Sequence, residues 1–380
     1  MSERSSHQNN RQGLVRTKDP IHNLTSSDIP KLVRLTDNPN YVAWKVRPRV
    51  AEQSAWDDQT RVDGRTFVDP ASRQTDGREM LTTMLLDDGG DYAAHTSWFE
   101  GNFGHFVHDH IPTIATLRSF LPSRTKFLLV DTSVTRNILG ALDPDFAANR
   151  IVWIRQNQLV EIRNGGTLTV AIPKNLPNMA GCCQQFDFMR QWAAERLAHN
   201  GGGPDQQVRE EDRFVVFYRR LPNGDLHHGR MMERAHEREV MRRIRAAMKK
   251  YGRKERFVEY SGDHNGRRLT IDEQRQVFRR ASTIIGPHGS GVGGNLIWTN
   301  PYAQTCNERV QLLEFVPDEE SGQVQMPFAH YWSQWRKWPI DYHTLLYLPQ
   351  STSEATFINL QDLDSALDEM WGPAIDTGTS

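Results

Sequence analysis

Residues 101–130, GNFGHFVHDHIPTIATLRSFLPSRTKFLLV, decide the fold. Val107, Ile111, Ile114 and Leu117, joined by Phe120 and Leu121, recur every three or four positions and so line one face of a helix. The stretch ends in Phe127-Leu-Leu-Val130, a short apolar run of the kind that forms a buried strand. Similar runs stand on either side: Met84-Leu-Leu-Asp-Asp88 upstream, Ile151-Val-Trp-Ile154 and Leu168-Thr-Val-Ala-Ile172 downstream. Strand, helix, strand in this order predicts a parallel sheet covered by helices.

The same alternation resumes further along. A helix from Phe186 to His199 stops at Asn200-Gly-Gly-Gly-Pro204, residues suited to a left-handed cap and a break, and this is the natural boundary between two lobes. Beyond it follow strand Phe214–Tyr218, a helix over Met232–Tyr251, strand Arg256–Tyr260 and a helix opened by the capping box Thr270-Ile-Asp-Glu273. Strand Thr283–Ile285, a glycine-rich turn and strand Val310–Phe315 complete the series. The expected organisation is α/β with two Rossmann-like lobes flanking a cleft. Residues 1–40 are a mobile polar segment, 41–200 the first lobe, 205–350 the second and 351–380 a tail.

Composition removes several function classes. Of the 380 residues, 46 are Lys or Arg and 47 are Asp or Glu, so no global field attracts nucleic acid or an anionic membrane. The three cysteines, Cys182, Cys183 and Cys306, build neither a disulfide framework nor a CxxC zinc site, and they fit a reducing compartment. No run of about 18 apolar residues is present, and MSERSSHQNNRQ lacks the apolar core of a signal peptide. The expectation is a soluble, cytoplasmic chain with no integral membrane segment; Asn23-Leu-Thr25 fits the glycosylation triplet, a pattern common by chance.

Three stretches can carry chemistry. On a helix His105 and Asp109, four apart, share a face with His108 one residue around from Asp109, which sets an imidazole beside a carboxylate for proton transfer. The same residues could equally cap a polar first turn. Pro112 makes the helix begin near His108 or bend there. Metal binding fits poorly, because the histidines are three apart rather than two and HExxH lacks its Glu. The second stretch, Ile285–Trp298, follows a strand and brings glycines and free backbone N–H groups to a helix start, where a diphosphate binds well. No Lys-Ser or Lys-Thr follows, so it is not a Walker loop. Gly289, Gly291 and Gly294 do match GxGxxG, with Glu314 about 20 residues on where a dinucleotide fold holds a ribose, although His288 has no part in that fingerprint. The third is Arg219-Arg220 at a strand end, with Arg230 after a loop holding His227 and His228; arginines there can clamp a diphosphate. Arg234, Arg238, Arg242, Arg243 and Arg245 read as the exposed face of a helix, partnered by Glu233, Glu237 and Glu239.

Taken in order, Asn102-Phe-Gly-His105-Phe-Val-His-Asp109, the arginine-bearing strand end, Gly286-Pro-His-Gly-Ser-Gly-Val-Gly-Gly-Asn295 and a strand ending Glu-Phe resemble glycosyltransferase family 61. Asp341-Tyr-His343 echoes a Tyr-His segment of that family, and the likeness runs from Met80 to Leu348. The family includes plant xylosyl- and arabinosyltransferases and animal O-linked N-acetylglucosaminyltransferases. The resemblance implies an inverting transferase of the GT-B type that uses a nucleotide-sugar, UDP-linked, as donor, requires no metal cofactor, and glycosylates a glycan or glycoprotein hydroxyl. It implies that Asp109 or His105 activates the acceptor, with Asn102 and His108 in support. It also implies that Arg219 or Arg220 with Arg230 holds the diphosphate, that His288 and the amides of Gly289, Ser290 and Gly291 stabilise the leaving group, and that Asn295 and Glu314 line the donor site, Glu314 on the ribose. Val292-Gly-Gly departs from the family's Leu-Thr, and His236 stands where an Asn often precedes Glu237. Eukaryotic relatives work in the ER or Golgi lumen, which is the alternative compartment if the N-terminus is incomplete. Two other readings compete: a nicotinamide-dependent oxidoreductase using Gly289–Gly294, and a metal-dependent hydrolase of the HD type built on His108-Asp109.

Overall fold

The computed structural model describes residues 31–35, 40–42, 82–95, 101, 103–155, 158–172, 183–199, 209–220, 231–264, 266–301, 309–317, 338–347 and 357–372. Elements are numbered along the chain. In the N-terminal half, β1 (Lys31–Leu35), β4 (Asp91–His95), β5 (Lys126–Val130), β6 (Ile151–Ile154) and β8 (Thr167–Ile172) form a sheet in the order β1-β8-β4-β5-β6. All its pairings are parallel except that of β1 with β8. A smaller sheet, ordered β2 (Asn40–Val42), β7 (Leu159–Ile162), β3 (Thr83–Leu86), lies beside it.

The C-terminal half is a five-stranded, wholly parallel sheet of β9 (Phe214–Tyr218), β10 (Arg256–Tyr260), β13 (Ala281–Pro287), β14 (Val310–Pro317) and β15 (Ile340–Tyr347), in the order β10-β9-β13-β14-β15. A short hairpin, β11 (Asp263–His264) and β12 (Arg267–Arg268), follows β10. The chain goes from β9 out to β10 and then back across to β13. The strand order therefore reverses between β9 and β13, the point in an open α/β sheet where a crevice opens at the carboxyl ends. This is a mixed α/β structure with parallel sheets, as the strand and helix alternation predicts.

The helices follow from their patterns. After β4 come α1 (Phe103–His105), a π turn (Phe106–His110) and α2 (Ile111–Phe120). Pro112 explains the π turn: it has no N–H to give His108 and its ring would strike that carbonyl, so the turn widens and Ile111 N–H bonds back to Phe106 O. The predicted bend at Pro112 is thus taken up as a wide turn, and the helix begins before His108. Next are α3 (Ser133–Leu142), α4 (Pro144–Asn149) and α5 (Cys183–His199); Asp143 caps α4 through Phe146 N–H and also accepts from the Trp192 indole on α5. In the second half α6 (Arg234–Lys250) follows β9, and α7 (Ile271–Arg279) opens on the predicted capping box. The turn after β13 is α8 (Ser290–Gly293), which runs on as a 3-10 turn, Gly294–Trp298.

Alternation along β9 sends Val215 and Phe217 to one face, against α6 and α9 (Leu360–Trp371), while Phe214, Val216 and Tyr218 face α7. Among the described residues, helices cover one face of the first sheet; on the other, Leu128, Val130 and Val170 pack against Val160 and Ile162 of the small sheet. One apolar cluster links the halves, running from Phe106, Ile111 and Phe127 through Val292, Leu296 and Trp298 to Val216 and Phe278. Arg275 on α7 adds a bond to the carbonyl of Ala141 on α3.

Two elements lie within the segments that the sequence reads as a mobile lead-in and a tail. Residues 31–35 lie within the segment read as mobile, yet they pair with β8 as β1. The tail read over 351–380 contains α9, in which Leu363, Leu367 and Met370 are buried and the Trp371 indole donates to Gln311. The predicted boundary at 200–204 lies outside the described residues. No described helix is long and apolar enough to cross a membrane.

Candidate active site

The π turn sets the geometry of the first motif. His105 Nδ1 lies 2.9 Å from Asp109 Oδ2, so the predicted imidazole–carboxylate pair forms. Its two members differ in access: the His105 side chain is 36 % exposed and that of Asp109 only 5 %. Burial pushes the Asp109 carboxyl above its ordinary range, and His105 beside it pulls the other way. The exposed imidazole is therefore the member that can meet a substrate. The carboxylate behind it can orient the ring through Nδ1–H and stabilise the imidazolium.

The other two histidines turn elsewhere. His108 is buried against the glycine turn, where a Cβ on Gly293 would lie 2.5 Å from its Nε2. Burial, with smaller effects from His105 and His288, drives its pKa down to about 3, so it stays neutral. His110 turns toward the first sheet, its Nδ1 2.8 Å from Nε2 of His95 at the end of β4. Three neighbouring histidines thus serve three surfaces. Among the described residues, no group of three or more His, Cys, Asp or Glu side chains converges where it could hold a metal ion.

The second motif sits at the reversal point of the C-terminal sheet. His288 follows β13, and its Nδ1 lies 2.8 Å from Glu314 Oε1 on β14. Tyr342 on β15 donates its hydroxyl to the other carboxylate oxygen at 2.9 Å. Glu314 is buried with both oxygens engaged, so it holds His288 rather than reaching for a ribose as the sequence suggests. Asn295, also expected at the donor, is fully buried; its amide donates to Gly291 O at 2.7 Å and fixes the turn from within. Ser290 is exposed at the turn's surface.

The two adjacent arginines divide their roles. Arg219 is paired with Glu237 at 2.6 Å and Glu259 at 3.2 Å, which makes it a strut between β9, α6 and β10. Glu237 is correspondingly not a partner of the helix-surface arginines; Arg242 and Arg243 pair with Glu239, and Arg245 with Glu259. Arg220 instead donates to the His288 carbonyl at 3.1 Å and lies against Gly289, so it belongs to the glycine turn. Asn102, Arg230, His227 and His228 lie outside the described residues.

The glycines bring the two motifs together. A Cβ on Gly104 would lie 2.8 Å from Ser290 Oγ and 3.0 Å from Ser290 Cα, and one on Gly294 would lie 2.5 Å from the Phe103 ring. Gly291 is closed in the same way by Tyr218, at 2.5 Å. These residues are glycine because side chains would prevent the approach. No family model matches the chain, and no curated protein matches it.

The sequence does not reveal Tyr342 as a partner of Glu314. Its only signal is strand periodicity: Glu314 pairs with Thr344, and Tyr342 is two residues earlier on the same face. Nothing in spacing joins His95 to His110.

Proposed function

We propose that the chain is an inverting glycosyltransferase of GT-B-like architecture, moving a sugar of the xylose, arabinose or N-acetylglucosamine type from a UDP-linked donor to a hydroxyl of a glycan or glycoprotein. The observation that carries this reading is the apposition of two unlike groups. An exposed imidazole backed by a buried carboxylate, His105-Asp109, stands on one half; a turn bearing His288 and Arg220 stands on the other.

In this reading the His105 imidazole takes the acceptor's proton and Asp109 stabilises the resulting imidazolium. The acceptor oxygen attacks the anomeric carbon opposite the bond to the diphosphate, which breaks with its electron pair and inverts the centre. Charge then grows on the departing diphosphate, where Arg220 and His288 supply positive potential without calling on a metal. Placement of these groups at the reversal of strand order supports a ligand in that crevice.

The oxidoreductase reading is weaker. Gly291 and Gly294 are accounted for by Tyr218 and Phe103, Glu314 is committed to His288 and Tyr342, and the turn opens only a short helix. The hydrolase reading needs His108 and Asp109 on one metal, yet His108 faces Gly293 while Asp109 binds His105. Calorimetry with UDP, GDP and NAD, followed by a screen of sugar nucleotides for hydrolysis, tests the proposal. UDP binding and release of sugar from one donor are expected; tight NAD binding with no response to nucleoside diphosphates refutes it.

A further inference from the structure

The two halves meet along a seam made of the site's own elements. Phe103, Gly104 and His108 come from the first half and Ser290, Gly293 and Gly294 from the second. They meet in three approaches too close for a side chain on the glycine: Gly104 on Ser290, Gly293 on His108 and Gly294 on the Phe103 ring. Beneath them Phe106 and Ile111 share one buried apolar cluster with Val292, Leu296 and Trp298, none of the five more than 6 % exposed. His108, which burial keeps neutral, brings no charge into the seam. Another joint lies between α3 and α7, where Arg275 donates to the Ala141 carbonyl at 2.9 Å. Lobes that meet through a thin polar interface move against each other by default, whereas a shared apolar core opposes hinge motion, because parting the lobes exposes buried side chains to water.

From this seam we infer that the chain folds and moves as one unit: the crevice between His105 and the turn bearing Arg220 and His288 is preformed, and no hinge closes it around a ligand. His105 follows Phe103 and Gly104 directly on α1, and Arg220 lies against Gly289, the residue before Ser290. The contacts that weld the halves therefore also set the spacing between the two sides of the site. Any opening of the halves would part Phe103 from Gly294 and Gly104 from Ser290, and would pull the reacting groups apart with them. A ligand meets its competent conformation already populated, so no affinity is lost to a closing step. The inference rests on the transferase reading only for the identity of that ligand; coupling of the halves is a property of the unliganded protein.

Hydrogen exchange on the full chain, in urea at a concentration where global opening dominates, tests the coupling with two mild core changes. Ile162→Val lies in the cluster between the first sheet and the small sheet, and Ile244→Val lies under α6 and α9 on the second sheet; both residues are fully buried and neither belongs to the cluster that crosses the seam. Each change should raise the opening of its own half roughly twofold to tenfold. In a single unit, Ile162→Val should speed exchange of the β9 amides by the same factor as the β5 amides, and Ile244→Val should do the same in reverse, because both strands exchange through one opening. Confinement of either effect to its own half overturns the inference. Small-angle scattering supplies the second measurement: the radius of gyration should be the same with and without saturating UDP, and UDP should protect β5 as much as β9. Contraction on UDP binding overturns the preformed crevice. Failure of wild type to bind any nucleoside diphosphate instead refutes the transferase reading, and the exchange result then decides the coupling by itself.

Discussion

Gly104→Ala places a methyl group in the seam between the two motifs. Its Cβ would stand 2.8 Å from Ser290 Oγ, 3.0 Å from Ser290 Cα and 3.0 Å from Ser290 Cβ. One of these contacts is backbone, so a rotamer change at Ser290 relieves only part of the clash, and α1 and α8 must move apart. Overpacking of this kind costs about 1–3 kcal/mol. Alanine recovers about 1 kcal/mol of helix preference over glycine, leaving a net loss of up to about 2 kcal/mol. Gly140→Ala is the control. Gly140 lies within α3 with nothing inside 4 Å of its added Cβ, so alanine there should stabilise by about 0.5–1 kcal/mol. Urea unfolding followed by circular dichroism measures both through the midpoint at constant slope. Ser290→Gly removes the Oγ and Cβ contacts and should restore part of the loss in the Gly104→Ala background, giving a non-additive pair. The reasoning is refuted if Gly104→Ala stabilises as Gly140→Ala does, or if the Gly104 and Ser290 changes simply add.

Asp109→Asn should abolish sugar transfer while its stability relative to wild type rises with pH. The folded carboxyl is pushed above 3.8, so the native state holds a proton that the unfolded chain releases; wild type loses stability as pH climbs through that window, and asparagine does not. Denaturation at about pH 3 and about pH 7 checks the sign, and a pH-independent difference contradicts it. Burial lowers His95 from 6.5 to about 4 and His108 from 6.5 to about 3, so each favours folding above 6.5 and gives that up on acidification. Wild-type stability should therefore fall below pH 6.5, with each histidine adding about 1.4 kcal/mol per pH unit to the slope; His95→Gln and His108→Gln should each flatten it. Arg219→Met and Arg220→Met should separate stability from binding. The first strands the buried Glu237 and lowers stability by about 1–3 kcal/mol, whereas the second leaves stability nearly unchanged and weakens UDP binding; calorimetry and melting on both variants decide it.

The sequence determined the local elements. Phe214–Tyr218, the Thr270 capping box and the periodic face from Val107 to Leu117 carry their structure in nearest-neighbour pattern, because burial with a period of two or three to four residues is a local property. It also made His105 and Asp109 neighbours, since four residues span one helical turn. What only the tertiary structure decided depends on residues far apart in the chain. Burial of Asp109 behind a half-exposed His105 comes from packing around the π turn and selects the imidazole as the exposed member. Arg219 and Arg220 look alike in sequence, yet opposite directions of their side chains give one to Glu237 and the other to His288. Glu314 looked like a ribose ligand by its distance from the glycines; strand register set it between His288 and Tyr342 instead. The glycines of the second motif suggested a phosphate cradle, and several of them prove to be the surface on which Phe103, His108 and Tyr218 close. Spacing along a chain specifies what a side chain can reach within its own element, but which neighbour it meets across the fold is fixed only when the sheets set their register and the halves pack.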